Sequence, residues 1–310
     1  MEYLTPIKQN KLFGLNKFFN ELIYLYKKNN LPNKILLSGQ KGIGKSTLAY
    51  HFINYVLSEN EEFCYNLDNF EINIENRSYK LTCNNANPNI TVIDINPEKK
   101  FIDINQIREL ILNLNKSSFN NKPRFVLIDN IDLLNINSVN ALLKILEEPS
   151  LNVYFILINN NKKILKTLLS RCINFKIFIS NNESLQISEK LIGNNLDKII
   201  NPDLINYYMS PGNIYNFIKF AELNKQKLLD LNLKDLLRTI ITENYYKKDD
   251  LMKYLFFDLI EFYLRRINSS FSLKIYDKYN YFVKKISDTR KFNLDEESLF
   301  IEFHEELLNG

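Results

Sequence analysis

A 310-residue chain that is 45% hydrophobic and 25% charged has enough apolar material for a real core, in one large domain or in two or three smaller ones. Its formal charge of +4 is compatible with a polyanionic partner without indicating one. No window reaches the ~18 uncharged apolar residues of a membrane span, and the start, MEYLTPIKQN, lacks the basic head and apolar middle of a secretory signal. A cytoplasmic protein without membrane contact is expected.

Over 1–178, apolar runs alternate with helical patterns. The runs at 35–37, 90–93, 125–128 and 153–158 are nearly continuous, which predicts strands buried on both faces of a parallel sheet. A fifth, at 173–178, begins by alternating at Ile173, Phe175 and Ile177 and is expected nearer the sheet edge. A helical stretch at 47–57 and amphipathic stretches at 104–114 and 139–146 lie between them. In the last, Val139, Leu142, Leu143 and Leu146 follow the i, i+3, i+4, i+7 rule. Asn137 or Ser138 can cap its start, and Pro149 ends it by disfavouring helical geometry at Glu148. Strand alternating with helix predicts an α/β layered domain. Strand signals then stop. Residues 181–223 read as two or three short helices, the last opened by a Ser210-Pro211-Gly212 turn. The remainder reads as long helices rich in Leu, Ile, Phe and Tyr. Its most apolar stretch, 251–267, is interrupted by Lys253, Asp258, Glu261, Arg265 and Arg266 and reads as a buried helix.

The three cysteines, Cys64, Cys83 and Cys172, form no C-x-x-C pair, so reduced and mostly buried thiols are expected rather than a zinc site or a disulfide framework. Lysine doublets such as Lys99-Lys100 and Lys162-Lys163 are scattered and read as solvated surface.

Residues 39–46 read G-Q-K-G-I-G-K-S, a full match to G-x-x-x-x-G-K-[ST], placed between the apolar run KILLS and a helical stretch. The chain has only seven glycines, yet Gly39, Gly42 and Gly44 crowd together here. Residues without side chains let backbone N–H groups wrap phosphates, and the following helix presents its positive end to the anion. Lys45 is expected to reach the β- and γ-phosphates of ATP, and the Ser46 hydroxyl to sit on Mg²⁺, with Thr47 beside them. A loop that has ceased to bind nucleotide is the competing expectation. The acid that completes such a site is expected at the end of a buried strand, and Arg124-Phe125-Val126-Leu127-Ile128-Asp129 supplies it. The next residue is Asn130, and an amide cannot accept a proton from the attacking water as a carboxylate can. Asp132 is a substitute by type, but its offset suits a helix cap or a surface acid.

Together, GQKGIGKST (39–47), FVLIDNIDLL (125–134), NALLKILEEP (140–149) and LLSRC (168–172) resemble the clamp-loader branch of the AAA+ proteins. Within it the chain is most similar to the delta-prime subunits of bacterial DNA polymerase III. SPGN (210–213) resembles the turn in their lid, and NLD (293–295) resembles the approach to their final helix. The resemblance covers most of 5–222 well and the helical tail weakly. It implies an AAA+ P-loop domain with a parallel sheet over 1–178, a small helical lid over 179–223 and an all-helical collar over 224–310. The tail's apolar residues could instead pack only within the chain.

The resemblance also implies residue roles. Arg171, in Ser170-Arg171-Cys172, corresponds to an arginine finger acting in trans on a neighbouring subunit's nucleotide, a task suited to a planar, permanently charged fork. An intramolecular salt bridge is the alternative. Asn159 or Asn160 corresponds to the sensor amide, with counting back from Arg171 favouring Asn159. ATP and Mg²⁺ are the implied ligands, and gamma/tau and delta subunits, the sliding clamp and primed DNA the implied partners. The departures are as telling. Asn130 replaces the catalytic glutamate, Asn213 stands for the lid arginine with no arginine anywhere in 179–223, and only Cys64 and Cys83 lie where relatives carry four zinc ligands, so no zinc is expected. The expected function is a subunit that supports ATP-dependent clamp loading in replication, with weak or absent hydrolysis of its own. The alternative is an autonomous ATPase motor subunit of the gamma/tau kind. A small-molecule P-loop kinase ranks third, for want of arginines in the lid.

Overall fold

The computed structural model describes residues 5–309 apart from 97, 98, 100, 117–119, 149–151, 206–208, 249, 269–272 and 293. The expected helix stop at Pro149, Asn293 of the NLD segment and Lys100 lie outside the described residues. The chain forms two compact units, Met1–Ile187 and Ser188–Gly310.

In the first unit, α1 (Asn16–Lys27) buries Phe19, Leu22 and Ile23. The chain then runs β1 (Lys34–Ser38), α2 (Lys45–Leu57), α3 (Arg77–Cys83), β2 (Ile90–Ile93), α4 (Ile104–Leu114) and β3 (Arg124–Ile128). After these come α5 (Ile136–Glu147), β4 (Val153–Asn159), α6 (Lys166–Leu169), β5 (Ile173–Lys176) and α7 (Asn181–Ile192), which runs on into the second unit. Among the described residues the strands make one parallel sheet in the order β2-β3-β4-β1-β5. Because successive side chains of a strand face opposite ways, Ile35, Leu37, Phe125, Leu127, Ile156 and Ile158 join one core with Phe19 and Phe52. Their neighbours Leu36, Val126, Ile128, Phe155 and Leu157 join another, with Leu110, Leu142 and Leu146. The three central strands are therefore buried on both faces, as their continuous apolar runs require.

Expectation and structure part at three places here. Run 90–93 is not doubly buried: β2 is an edge strand, paired only with β3, and Val92 is 40% exposed. Strand β5 is the opposite edge, as its alternating start suggests. Helix α5 begins at Ile136, and its cap is Asn135, whose side chain accepts from the Ser138 N–H at 2.8 Å. The proposed caps Asn137 and Ser138 lie inside the helix, where the Ser138 hydroxyl donates to the Ile102 carbonyl at 3.0 Å instead. The cysteine expectation also needs correcting. All three thiols are free, but only Cys172 is buried, Cys83 being half-buried and Cys64 exposed.

The second unit is helical. Helix α8 (Pro211–Leu223) starts where the Ser-Pro-Gly turn indicated, with the Ser210 side chain as its cap. It is followed by α9 (Leu233–Thr242), α10 (Tyr245–Lys248), α11 (Asp250–Asn268), α12 (Leu273–Phe292) and α13 (Glu296–Phe303). Phe256, Phe257, Phe282, Phe300 and Phe303 meet in its core. Leu255, Leu259, Ile260 and Leu264 of α11 are buried too, so the interrupted apolar stretch is the buried helix expected. Among the described residues no helix is long and apolar enough to cross a membrane.

Candidate functional site

In parallel sheets of this kind ligands collect at the carboxyl ends of the strands, and the sequence-selected residues gather there. Strand β1 ends at Ser38, and the next backbone N–H, that of Gly39, donates to the carbonyl of Asn159 at 3.2 Å. The glycines are sterically demanded. A Cβ on Gly39 would collide with the carbonyl oxygen of Ile177. Gly42 and Gly44 have φ of 83° and 93°, in the left-handed region where side chains are strained. Gly44 is the N-cap of α2, which starts at Lys45, two residues ahead of the expected 47–57. Thr47 occupies the first turn and is half-buried.

Lys45 is 3% exposed. Its Nζ donates to the carbonyls of Gly39 at 2.9 Å and Gln40 at 2.6 Å, within its own loop. Burial pushes its pKa down to about 8, against the opposing pull of the Asp129 and Asp132 carboxylates. The Ser46 hydroxyl donates to Asp129 Oδ2. Burial raises the Asp129 carboxyl above its ordinary range, and the Ser46 hydrogen bond works the other way. A hydroxyl and a carboxylate oxygen brought together are the hard donors Mg²⁺ takes, the ion keeping waters and phosphate oxygens elsewhere in its shell. Ser46 and Asp129 thus fit the implied metal as a partial ligand pair. Among the described residues no group of three His, Cys, Asp or Glu side chains could hold a metal ion by itself.

Beyond Asp129 the chain turns sharply, Asn130 having a left-handed φ of 51°. Its amide donates to Asp94 Oδ1 at 2.8 Å and accepts from Asn160 Nδ2 at 2.8 Å. The two sensor candidates therefore stand differently. Asn160 belongs to this polar chain across the strand ends. Asn159, buried at the end of β4, closes its own turn by donating to the Lys162 carbonyl at 3.0 Å and accepting from the Lys162 N–H at 3.3 Å.

Asp132 departs from expectation. It is neither a cap nor a surface acid, because the short 3-10 turn Ile131–Leu133 after Asn130 rotates it inward. Its side chain is 2% exposed and pairs with Lys162 Nζ at 3.0 Å, while Oδ1 has no hydrogen-bond partner. Sequence reasoning also passed over Asp94, and read Lys162 within its lysine doublet only as solvated surface. A carboxylate at the carboxyl end of a strand was the available signal for Asp94. Nothing local marked Lys162.

Arg171 lies between α6 and β5. Its Nη1 donates to the Thr167 carbonyl at 2.8 Å, and its Nη2 pairs with Glu147, the last residue of α5. The intramolecular salt bridge weighed as its alternative role is thus present in the isolated chain. Exposed apolar side chains flank it in sequence, namely Leu165, Leu169 and Ile173, the last 55% exposed. Asn213 sits in the first turn of α8, in the second unit, its N–H accepted by Ser210 Oγ at 3.3 Å.

A family model described as DNA polymerase III, delta subunit, matches residues 14–180, more than half of the chain. The chain belongs to that family. Among its relatives is the delta-prime subunit of DNA polymerase III from Buchnera aphidicola subsp. Schizaphis graminum, 27% identical over 262 residues, covering 80% of this chain and 76% of the relative. The gamma subunit of the same organism is 32% identical over 201 residues, covering 62% of this chain. The chain spans about half the length of two of these relatives, 52% of that gamma subunit and 48% of the delta-prime subunit from the subspecies Baizongia pistaciae. The crystal structure of a gamma-subunit-related protein from Thermotoga maritima superposes with a TM-score of 0.52 at 18% identity, covering 91% of this chain and 96% of that one. The fold of this delta-family chain is accordingly the α/β AAA+ fold, with the P-loop and Asp129 at the strand ends.

Proposed function

We propose that this chain is a delta-prime-like clamp-loader subunit. It joins gamma/tau and delta subunits in the cytoplasm, supports ATP-dependent placement of the sliding clamp on primed DNA, and completes a neighbour's ATP site with Arg171. The observation that carries this proposal is a division of labour. Asn130, an amide tied to Asp94 and Asn160, stands where hydrolysis needs a carboxylate, while Arg171 is part-exposed just before the edge strand β5, with exposed apolar residues on either side of it in sequence. Family membership and the gamma and delta-prime relatives support it.

At the chain's own site, Gly39, Gly42 and Gly44 let the loop backbone wrap the phosphates of ATP, and Lys45 exchanges the Gly39 and Gln40 carbonyls for phosphate oxygens. Ser46 and Asp129 hold Mg²⁺, which when bound offsets phosphate charge. Of the two sensor candidates, Asn159 is held in its own turn by Lys162, and Asn160, which donates to Asn130 across the strand ends, serves as the sensor amide. Hydrolysis there is weak, because Asn130 cannot take the proton of the attacking water. Residues 1–178 act as the nucleotide domain, 179–223 as a lid and 224–310 as the collar through which subunits assemble.

A second reading, an autonomous motor subunit, is favoured by the intact set of Lys45, Ser46 and Asp129. It requires turnover in the isolated chain that Lys45→Ala abolishes. The deciding experiment mixes the chain with gamma/tau and delta subunits, clamp and primed DNA, and measures ATP hydrolysis. Arg171→Ala is expected to lower the stimulated rate, and an unchanged rate overturns the trans role.

A further inference from the structure

We propose that Glu147 is the positioning residue of Arg171: its carboxylate fixes the plane of the guanidinium so that the remaining N–H edge is presented to a neighbouring subunit's γ-phosphate. This rests on the trans role proposed above and assigns to the segment around 140–149 a part in it.

Glu147 and Arg171 are 24 residues apart in sequence and meet through Glu147 Oε1 and Arg171 Nη2. The second terminal nitrogen, Nη1, is held by the Thr167 carbonyl at 2.8 Å. A guanidinium is planar and carries five N–H donors in a rigid fork. One contact on each terminal nitrogen defines that plane, and each of these nitrogens carries a second N–H that the two contacts do not use.

Both partners hang from fixed points. Leu142 and Leu146 are fully buried on α5, placing Glu147 immediately after an anchored residue. Leu168 and Cys172 are buried on either side of Arg171. The ion pair is therefore a contact between two anchored pieces of backbone, made by side chains that remain 31% and 52% exposed. An ion pair this exposed adds little to stability, and what it supplies is orientation, which a transition-state contact needs to within a fraction of an ångström. Glu147 cannot itself face the phosphate, since two anions would repel, so it acts through the arginine. The sequence spacing hides this, but the geometry accounts for why a glutamate closes α5 opposite the arginine.

The test is a double-mutant cycle in the assembly reconstituted with gamma/tau and delta subunits, clamp and primed DNA, comparing wild type, Glu147→Gln, Arg171→Ala and the double variant. Glu147→Gln is expected to lower kcat about three- to tenfold with KM for ATP little changed, a range typical of directly coupled pairs. The double variant is expected to be no slower than Arg171→Ala alone, and the isolated Glu147→Gln chain to melt with the wild type. If Arg171→Ala has no effect, the trans role fails and this inference with it. If Arg171→Ala slows the assembly but Glu147→Gln keeps the wild-type kcat, only the inference is overturned. It is equally overturned if the two losses multiply in the double variant, or if Glu147→Gln lowers the melting temperature by more than about 5 °C.

Discussion

The phosphate loop and the arginine segment lie in the same unit yet are built differently. At the centre of the loop the key polar side chains are buried and bonded within the chain. Lys45 bonds its own loop, Ser46 bonds Asp129, and His51 and Asn54 on α2 are buried below. Around Arg171 the polar contacts are part-exposed and the apolar side chains Leu165, Leu169 and Ile173 face outward. Burial of this kind belongs to a region that must hold its shape alone, and exposure to one that is completed by something else. Changes near the loop should therefore register in the isolated chain, and changes near Arg171 only in the assembly.

The largest effect expected in the isolated chain is at His51. Its Nε2 can only donate to the Gln9 carbonyl, at 2.9 Å, so the neutral ring accepts at Nδ1 from the Tyr65 hydroxyl at 2.8 Å. Burial pushes its pKa from 6.5 down to about 4. Protons then bind the unfolded chain more readily than the folded one. The stabilisation is whole above about pH 6.5 and falls away as the pH drops towards 4, by about 3 kcal/mol in all. Urea midpoints across that range should show wild type losing about this much more than His51→Gln, and parallel curves would place the ring in water. Next comes Gly39→Ala, whose methyl meets the backbone of Ile177 rather than a yielding side chain. A loss of about 2 kcal/mol in urea unfolding is expected. Asn130→Glu probes function at the same place. Restoring a carboxylate should raise the isolated chain's turnover about tenfold, below the 10²–10⁴ of a complete general-base site. The smallest effect sharpens the contrast: Arg171→Ala should change the stability of the isolated chain by less than about 1 kcal/mol, the range of an exposed ion pair.

The loop was legible because glycine is scarce in this chain and three glycines in six positions left little else to infer. The central strands were legible because burial on both faces leaves an unbroken apolar run. Strand order was not, and so β2 was given a double burial that only its place at the sheet edge denies it. Helix α1 carried a readable signal, Phe19, Leu22 and Ile23 at the spacing of one helix face, that went unused. Asp132 was misplaced because its direction depends on the left-handed turn at Asn130, and periodicity carries no information about a single φ. The partners of Asn130 and Arg171, namely Asp94, Asn160 and Glu147, are set by tertiary packing and lie 36, 30 and 24 residues away.

The measurement that bears most directly on the division of labour compares Lys45→Ala with Arg171→Ala in the reconstituted assembly, reading clamp- and DNA-stimulated ATP hydrolysis. With the chemistry next door, Arg171→Ala should slow the site it completes by roughly 10³-fold, the scale of an arginine finger, while Lys45→Ala leaves the stimulated rate near that of the wild type. The reverse pattern, with Lys45→Ala abolishing turnover and Arg171→Ala without effect, would contradict it and make this chain a motor in its own right.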